Sequence, residues 1–146
     1  MIIGKINAVG FGLENAALSL GGQSPSQCCT EHYNGTSWSS GGTPANGCYG
    51  RGGDGTEYAG IVFGGYHPAP NSSATEEYYG ETFAAGGALS IAVRYGNGGG
   101  GVQNSAVNFG DDSAISQHYN GTSWSAGSSK ITSRTVFAST GLGYKA

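Results

Sequence analysis

The sequence predicts an all-β fold assembled from three copies of a four-stranded antiparallel unit. Three observations carry that expectation: a hexapeptide written twice, apolar runs that each close on glycine, and a composition rich in turn formers and poor in charge. YNGTSW occurs at 33–38 and again at 119–124, 86 residues apart. A degenerate third copy, EEYYGETFAAGG at 76–87, lies between EHYNGTSWSSGG (31–42) and QHYNGTSWSAGS (117–128), so the interval divides into steps of 45 and 41 residues. A period of that length is a structural repeat.

Composition agrees. Glycine supplies 29 of 146 residues, well above the usual share of about 7%. Leu, Ile, Val and Phe total only 23, few enough to raise the question of disorder. Disorder of that kind also requires high net charge, and here the charge is −3 with 10% charged residues. Nine tyrosines, abundant glycine and low charge instead suit short strands joined by tight turns. No basic excess points to nucleic acid or to an anionic membrane. The length fits a single domain, 1–146.

The elements follow in order within each repeat, taken as about 14–55, 56–101 and 102–143. Each unit reads as a short strand, a strand ending in GG, a variable loop, a strand, a tight turn and a strand, and the runs closed by glycine are AALSLGG (16–22), AGIVFGG (59–65) and SAVNFGD (105–111). A variable loop leads to the YNG-type hairpin. A weaker run follows: GCYGRGGDG (47–55), VRYGNGGGG (93–101) and TVFASTGLG (135–143). Four strands at this period suggest a β-propeller blade. Asn34–Gly35 and Asn120–Gly121 read as two-residue type I′ turns, in which both residues need positive φ. In that register Tyr33 faces Thr36 and Glu31 faces Trp38. Tyr33 and Trp38 share one face, with His32 and Ser37 on the other. Tyr33, Trp38, Tyr78, Phe83, Tyr119 and Trp124 are expected to be largely buried as aromatic plugs between units.

A strand ending in GG, then a Tyr, then a Trp five residues later resembles the kelch repeat of galactose-oxidase-type propellers. The wording xxFGG…EHYNGTSWSSGG is similar, more specifically, to Gly-rich kelch-like repeats of tailed phages of aquatic bacteria. The resemblance spans about residues 14–143 and implies propeller blades. Three positions depart from it: Gly110–Asp111 for GG, Phe83 for Trp, and Cys48 near the place where the other copies carry Arg94 and Arg134. Closed propellers typically have four to eight blades. The expectation is therefore a ring completed by other copies, most simply two chains giving six blades. A head-to-tail polymer and a compact three-blade variant are the rivals.

Sites for chemistry are sparse. His32 and His118 occupy equivalent repeat positions and read as solvent-facing or half-buried strand histidines. His67 has no Cys or second His at ligand spacing, and Asp111–Asp112 is a lone acidic pair without the oxygen-rich pattern of a calcium loop. GNGGGG (96–101) is followed by no GK[ST] and reads as packed backbone. Cys28, Cys29 and Cys48 read as small buried or half-buried residues, without metal-ligand spacing. The N-terminus does not read as a signal peptide, because Lys5, Asn7 and Glu14 interrupt its apolar run. The copper enzymes among galactose-oxidase relatives need a Tyr/His/Cys constellation spread over more blades. A non-enzymatic protein without cofactor or metal is expected.

The resemblance implies a phage structural or interaction protein located in the virion, either a capsid decoration protein or a tail-fibre component. Its partners would be further copies of itself and other virion proteins. The alternatives are a carbohydrate-binding receptor module that takes cell-surface glycan and an extracellular adhesive filament subunit. Variable loops between the second and third strands, together with the connections between units, form the expected binding face. The candidate ligand-binding residues there are Tyr66, His67, Asp111, Asp112, Arg94 and Arg134.

Overall fold

The structure, a computed structural model, describes residues 6–23, 28–47, 49–66, 71–94, 97–111 and 113–134. It contains three four-stranded antiparallel sheets, each with its strands in sequence order, and no helix among the described residues. Sheet 1 holds β1 (Val9–Leu13), β2 (Ala16–Leu20), β3 (Thr30–Tyr33) and β4 (Trp38–Ser40). Sheet 2 holds β5 (Gly52–Gly55), β6 (Gly60–Phe63), β7 (Thr75–Tyr78) and β8 (Phe83–Ala85). Sheet 3 holds β9 (Asn97–Val102), β10 (Ser105–Gly110), β11 (Ser116–Tyr119) and β12 (Trp124–Ala126).

The glycine-closed apolar runs form the second strands, and the YNG-type segments join third to fourth. The weaker runs at 47–55 and 93–101 supply the short first strand of the following sheet. The run at 135–143 lies outside the described residues. The glycine-rich first strands pack side by side, β1 against β5 and β5 against β9. Close approach requires the missing side chains there: a Cβ on Gly99 would fall 2.4 Å from the Phe63 ring. Asp54 ties two of these strands, its Oδ2 accepting from Gly101 N at 3.1 Å.

Two cores lie between the sheets. Leu18 and Leu20 of sheet 1 pack on Val62 and Tyr78 of sheet 2, flanked by Val9, Phe11 and Phe83. Ile61 and Phe63 of sheet 2 pack on Ala106, Tyr119 and Trp124 of sheet 3, with Leu89 and Val93 from the connecting segment. Strand alternation makes this possible, since Val62 and Tyr78 face sheet 1 while Ile61 and Phe63 face sheet 3. Sheet 2 is sandwiched, and its first three strands are buried throughout.

The hairpin differs from the expected type. Tyr33 pairs directly with Trp38, and Glu31 pairs with Ser40. Four residues therefore bridge the strands, not two. Gly35 and Gly121 have φ of 90° and 92°, but neither Asn34 nor Asn120 has positive φ. The asparagine acts through its side chain: Asn34 Oδ1 accepts from Thr36 N at 3.0 Å and Ser37 N at 2.9 Å. Asn120 repeats this with Thr122 and Ser123, both at 2.9 Å. These bonds satisfy loop amides that a type I′ turn would have directed elsewhere.

The aromatic pairs share a face as expected, with ring centroids 5.1 Å apart for Tyr33–Trp38 and for Tyr119–Trp124, and 4.6 Å for Tyr78–Phe83. Their burial is graded rather than uniform. Tyr78, Tyr119 and Trp124 are buried, Tyr33 and Phe83 are half-buried, and Trp38 is 54% exposed. The reason is positional. Each pair packs on the sheet before it, and no described sheet precedes sheet 1.

Candidate functional site

The end of the molecule that carries the β6–β7 loop also receives the segment leading from sheet 2 to sheet 3. Gly64 and Gly65, with φ of 63° and 100°, turn the chain out of β6. Gly65 N then donates to Val93 O at 3.1 Å, and Val93 N donates to Ser72 O at 3.1 Å. Tyr66 exchanges both backbone bonds with Tyr49, at 2.8 and 3.1 Å. These bonds bring Tyr49, Tyr66 and Arg94 together. Tyr49 and Tyr66 meet edge to face at 5.5 Å, and the Arg94 guanidinium lies 4.6 Å from the Tyr66 ring centroid. The ring quadrupole attracts that cation. Tyr49 is buried, Tyr66 is half-buried and Arg94 is exposed, so the cluster has an apolar base and a charged lip.

Of the six candidate residues, the structure thus joins Tyr66 and Arg94. Asp111 follows β10 at the place where the other repeats have Gly22 and Gly65, and it adopts φ 66°, a conformation that aspartate tolerates better than most residues. It is half-buried, and Arg134 is exposed. His67 and Asp112 lie outside the described residues. Tyr49 was not singled out in the sequence. It sits in the weakest of the repeated runs, where only the pairing with Tyr66 reveals its place.

A second set of polar groups is buried between sheets. Glu76 Oε2 accepts from Arg51 Nη1 at 2.6 Å, while its Oε1 accepts from Ala45 N at 2.7 Å and Asn46 N at 3.3 Å. One carboxylate thereby holds the segment after sheet 1. Burial of the Arg51–Glu76 pair demands such partners, because an isolated ion here would be costly. Arg51 Nε and Nη2 nonetheless lack them among the described residues. In sheet 3 the equivalent residue, Gln117, holds the segment after sheet 2, accepting from Ile91 N at 3.0 Å and donating to Ile91 O at 3.1 Å.

His32 was expected at the surface or half-buried, yet it is buried because sheet 2 covers its face. Its Nδ1 lies 3.4 Å from Glu57 Oε1, and its Nε2 meets the Tyr78 hydroxyl. The equivalent contact one sheet later is Tyr119 Oη donating to Glu77 Oε1 at 2.6 Å. Burial pushes the pKa of both Tyr78 and Tyr119 up to about 12, assisted by the charge of Glu81 for the first and the hydrogen bond to Glu77 for the second. His118 is exposed. Cys28 is half-buried, Cys29 is exposed rather than buried, and Cys48 lies outside the described residues. Among the described residues no group of three His, Cys, Asp or Glu side chains is placed to hold a metal ion. These buried groups tie sheet to sheet, whereas the Tyr49–Tyr66–Arg94 cluster reaches the surface at Arg94. No protein-family model matches the chain, and no curated protein is significantly similar to it.

Proposed function

We propose that this chain is a non-enzymatic structural or interaction protein of a phage particle, a capsid decoration protein or tail-fibre component built from propeller-type blades. The observation that carries the reading is the division of polar groups just described. Buried acids, Arg51 and His32 stiffen the joints between sheets, whereas Arg94 stands exposed over the half-buried Tyr66 ring at the start of the β6–β7 loop. A rigid stack with an adaptable rim suits repeated attachment to a lattice or stalk. The kelch-like wording of the repeats supplies the phage context, and further copies would complete the ring. Co-sedimentation of the purified protein with virions, or with particles stripped of it, tests the reading. Arg94→Ala should weaken attachment without lowering the melting temperature, and attachment unchanged by that substitution would remove the rim from the proposal.

The Tyr66–Arg94 pair also supports a second reading, glycan recognition. An aromatic face beside a guanidinium can stack on a sugar ring while donating to hydroxyl or carboxylate groups. A glycan array separates the two readings, since a decoration protein should bind particles and leave the array blank.

A further inference from the structure

The two joints inside the chain are built alike. In each, the tyrosine ending the third strand of the later sheet delivers its hydroxyl to the residue before the matching tyrosine of the earlier sheet, Tyr78 to His32 and Tyr119 to Glu77. The fourth-strand aromatic of the later sheet covers the apolar end of the earlier sheet's second strand, as Trp124 does Phe63 with centroids 4.9 Å apart. The glycine ending each GG pair of the earlier sheet abuts the later hairpin. A Cβ on Gly42 would fall 1.9 Å from Glu81 O, and one on Gly87 would fall 2.2 Å from Thr122 O.

Sheet 1 presents the later half of such a joint. Tyr33 donates to Gly35 O at 2.9 Å, as Tyr78 does to Gly80 O, but among the described residues it has no counterpart of His32 to meet. Trp38 stands 54% exposed beside it. Sheet 3 presents the earlier half. His118 is exposed where His32 is buried, and Phe109 is half-buried where Phe63 is buried.

We infer that the Tyr33–Trp38 face of one copy docks on the Phe109–His118 face of a second copy, repeating the internal joint between molecules. The Tyr33 hydroxyl then meets His118, and the Trp38 ring covers Phe109. One residue modulates the fit. Ser128 replaces the glycine of Gly42 and Gly87, so its Cβ confronts the Thr36 carbonyl of the incoming hairpin and that hairpin must shift. The joint between copies is therefore weaker than the two within the chain, and reversible. The inference rests on the proposal that further copies complete the stack. Attachment to virions through the rim is a separate measurement, so either can fail alone.

The test is sedimentation velocity over a wide concentration range, using surface variants that leave the single copy folded. Trp38 and Ser128 are both exposed. Wild type should self-associate, and Trp38→Ala should weaken this by about a hundredfold or more, as loss of a central aromatic anchor does. Ser128→Trp should abolish it, and Ser128→Gly should tighten it by about tenfold, the effect of relieving a modest steric clash. Mixing Trp38→Ala with Ser128→Trp leaves one intact joint, so the mixture should form a heterodimer and nothing larger. A wild type that stays monomeric overturns the inference. So does Ser128→Trp that associates normally while Trp38→Ala does not, which would mean that two Trp38 faces meet each other.

Discussion

Trp124 donates its indole N–H to Thr75 Oγ1 at 2.9 Å across the joint between sheets 2 and 3. One sheet earlier the matching threonine, Thr30, has its hydroxyl buried without a partner among the described residues. Phe83 stands in that repeat where Trp124 stands in the next, and a phenyl ring has no proton to give. Removing the hydroxyl should therefore have opposite consequences at the two sites. Thr75→Val strands a buried indole N–H and should cost about 1–3 kcal/mol. Thr30→Val removes an unsatisfied group and should be neutral or mildly stabilising. Urea denaturation of the two variants checks this, and equal losses would mean that Thr30 has an acceptable partner after all.

Burial also separates the two tryptophans. Trp124→Ala opens a cavity against Phe63 and should cost about 3–5 kcal/mol. Trp38 is spelled into the same hexapeptide, but more than half of it is exposed. Trp38→Ala should cost about 1 kcal/mol or less in dilute protein, within the range of surface substitutions that break little packing. Denaturation at low concentration is the appropriate measurement, because association between copies would add to the apparent stability of the wild type.

That contrast shows where the sequence was legible. Strand periodicity and the glycine punctuation placed the second, third and fourth strands of every sheet and put Tyr33 with Trp38 on one face. A sequence repeat, however, records chemistry and not position in the stack. Identical hexapeptides give a buried Trp124 and an exposed Trp38 because, among the described residues, Trp124 has a sheet before it and Trp38 does not. The turn departs from its signature for a different reason: Asn–Gly marks a type I′ hairpin, yet Asn34 captures two loop amides with its own side chain. The candidate binding residues rest on the variable loops and on the connections between units. The Tyr66–Arg94 contact needed the long-range pairing of residues 65 and 72 with 93, which no local pattern encodes.

The hairpin chemistry gives a third test. If asparagine supplied only a positive φ, Asn120→Gly would be tolerated, since glycine adopts that conformation readily. Because Asn120 Oδ1 accepts from Thr122 N and Ser123 N, the substitution should instead cost about 1 kcal/mol, the net worth of an ordinary hydrogen bond. Asn120→Asp, which keeps the acceptor, should cost less. Thermal melts of the pair distinguish the two accounts. At the neighbouring position, Gly121→Val should destabilise more than Thr122→Val, because valine is strained at φ 92°.

Alkaline stability provides the last test. A tyrosine in the unfolded chain ionises near its ordinary value of 10, whereas burial raises Tyr78 and Tyr119 to about 12 in the fold. The neutral form is thus the one that the folded state favours. Its contribution is fully present below pH 10 and is lost as pH climbs from about 10 to about 12, where the unfolded chain has already released protons that the folded chain still holds. Both phenols sit in joints, Tyr78 against His32 and Tyr119 against Glu77, so ionisation of Tyr119 would place two negative charges together. Stability measured at fixed temperature should accordingly be flat from neutrality to about pH 9.5 and then fall. Tyr119→Phe should flatten part of that fall while losing the bond to Glu77 at neutral pH. Ultraviolet titration of tyrosinate should show a late-ionising fraction in the native protein that merges with the rest on unfolding. A single ionisation step near pH 10 in the folded protein would show that these hydroxyls are open to solvent and that the joints around them are looser than described.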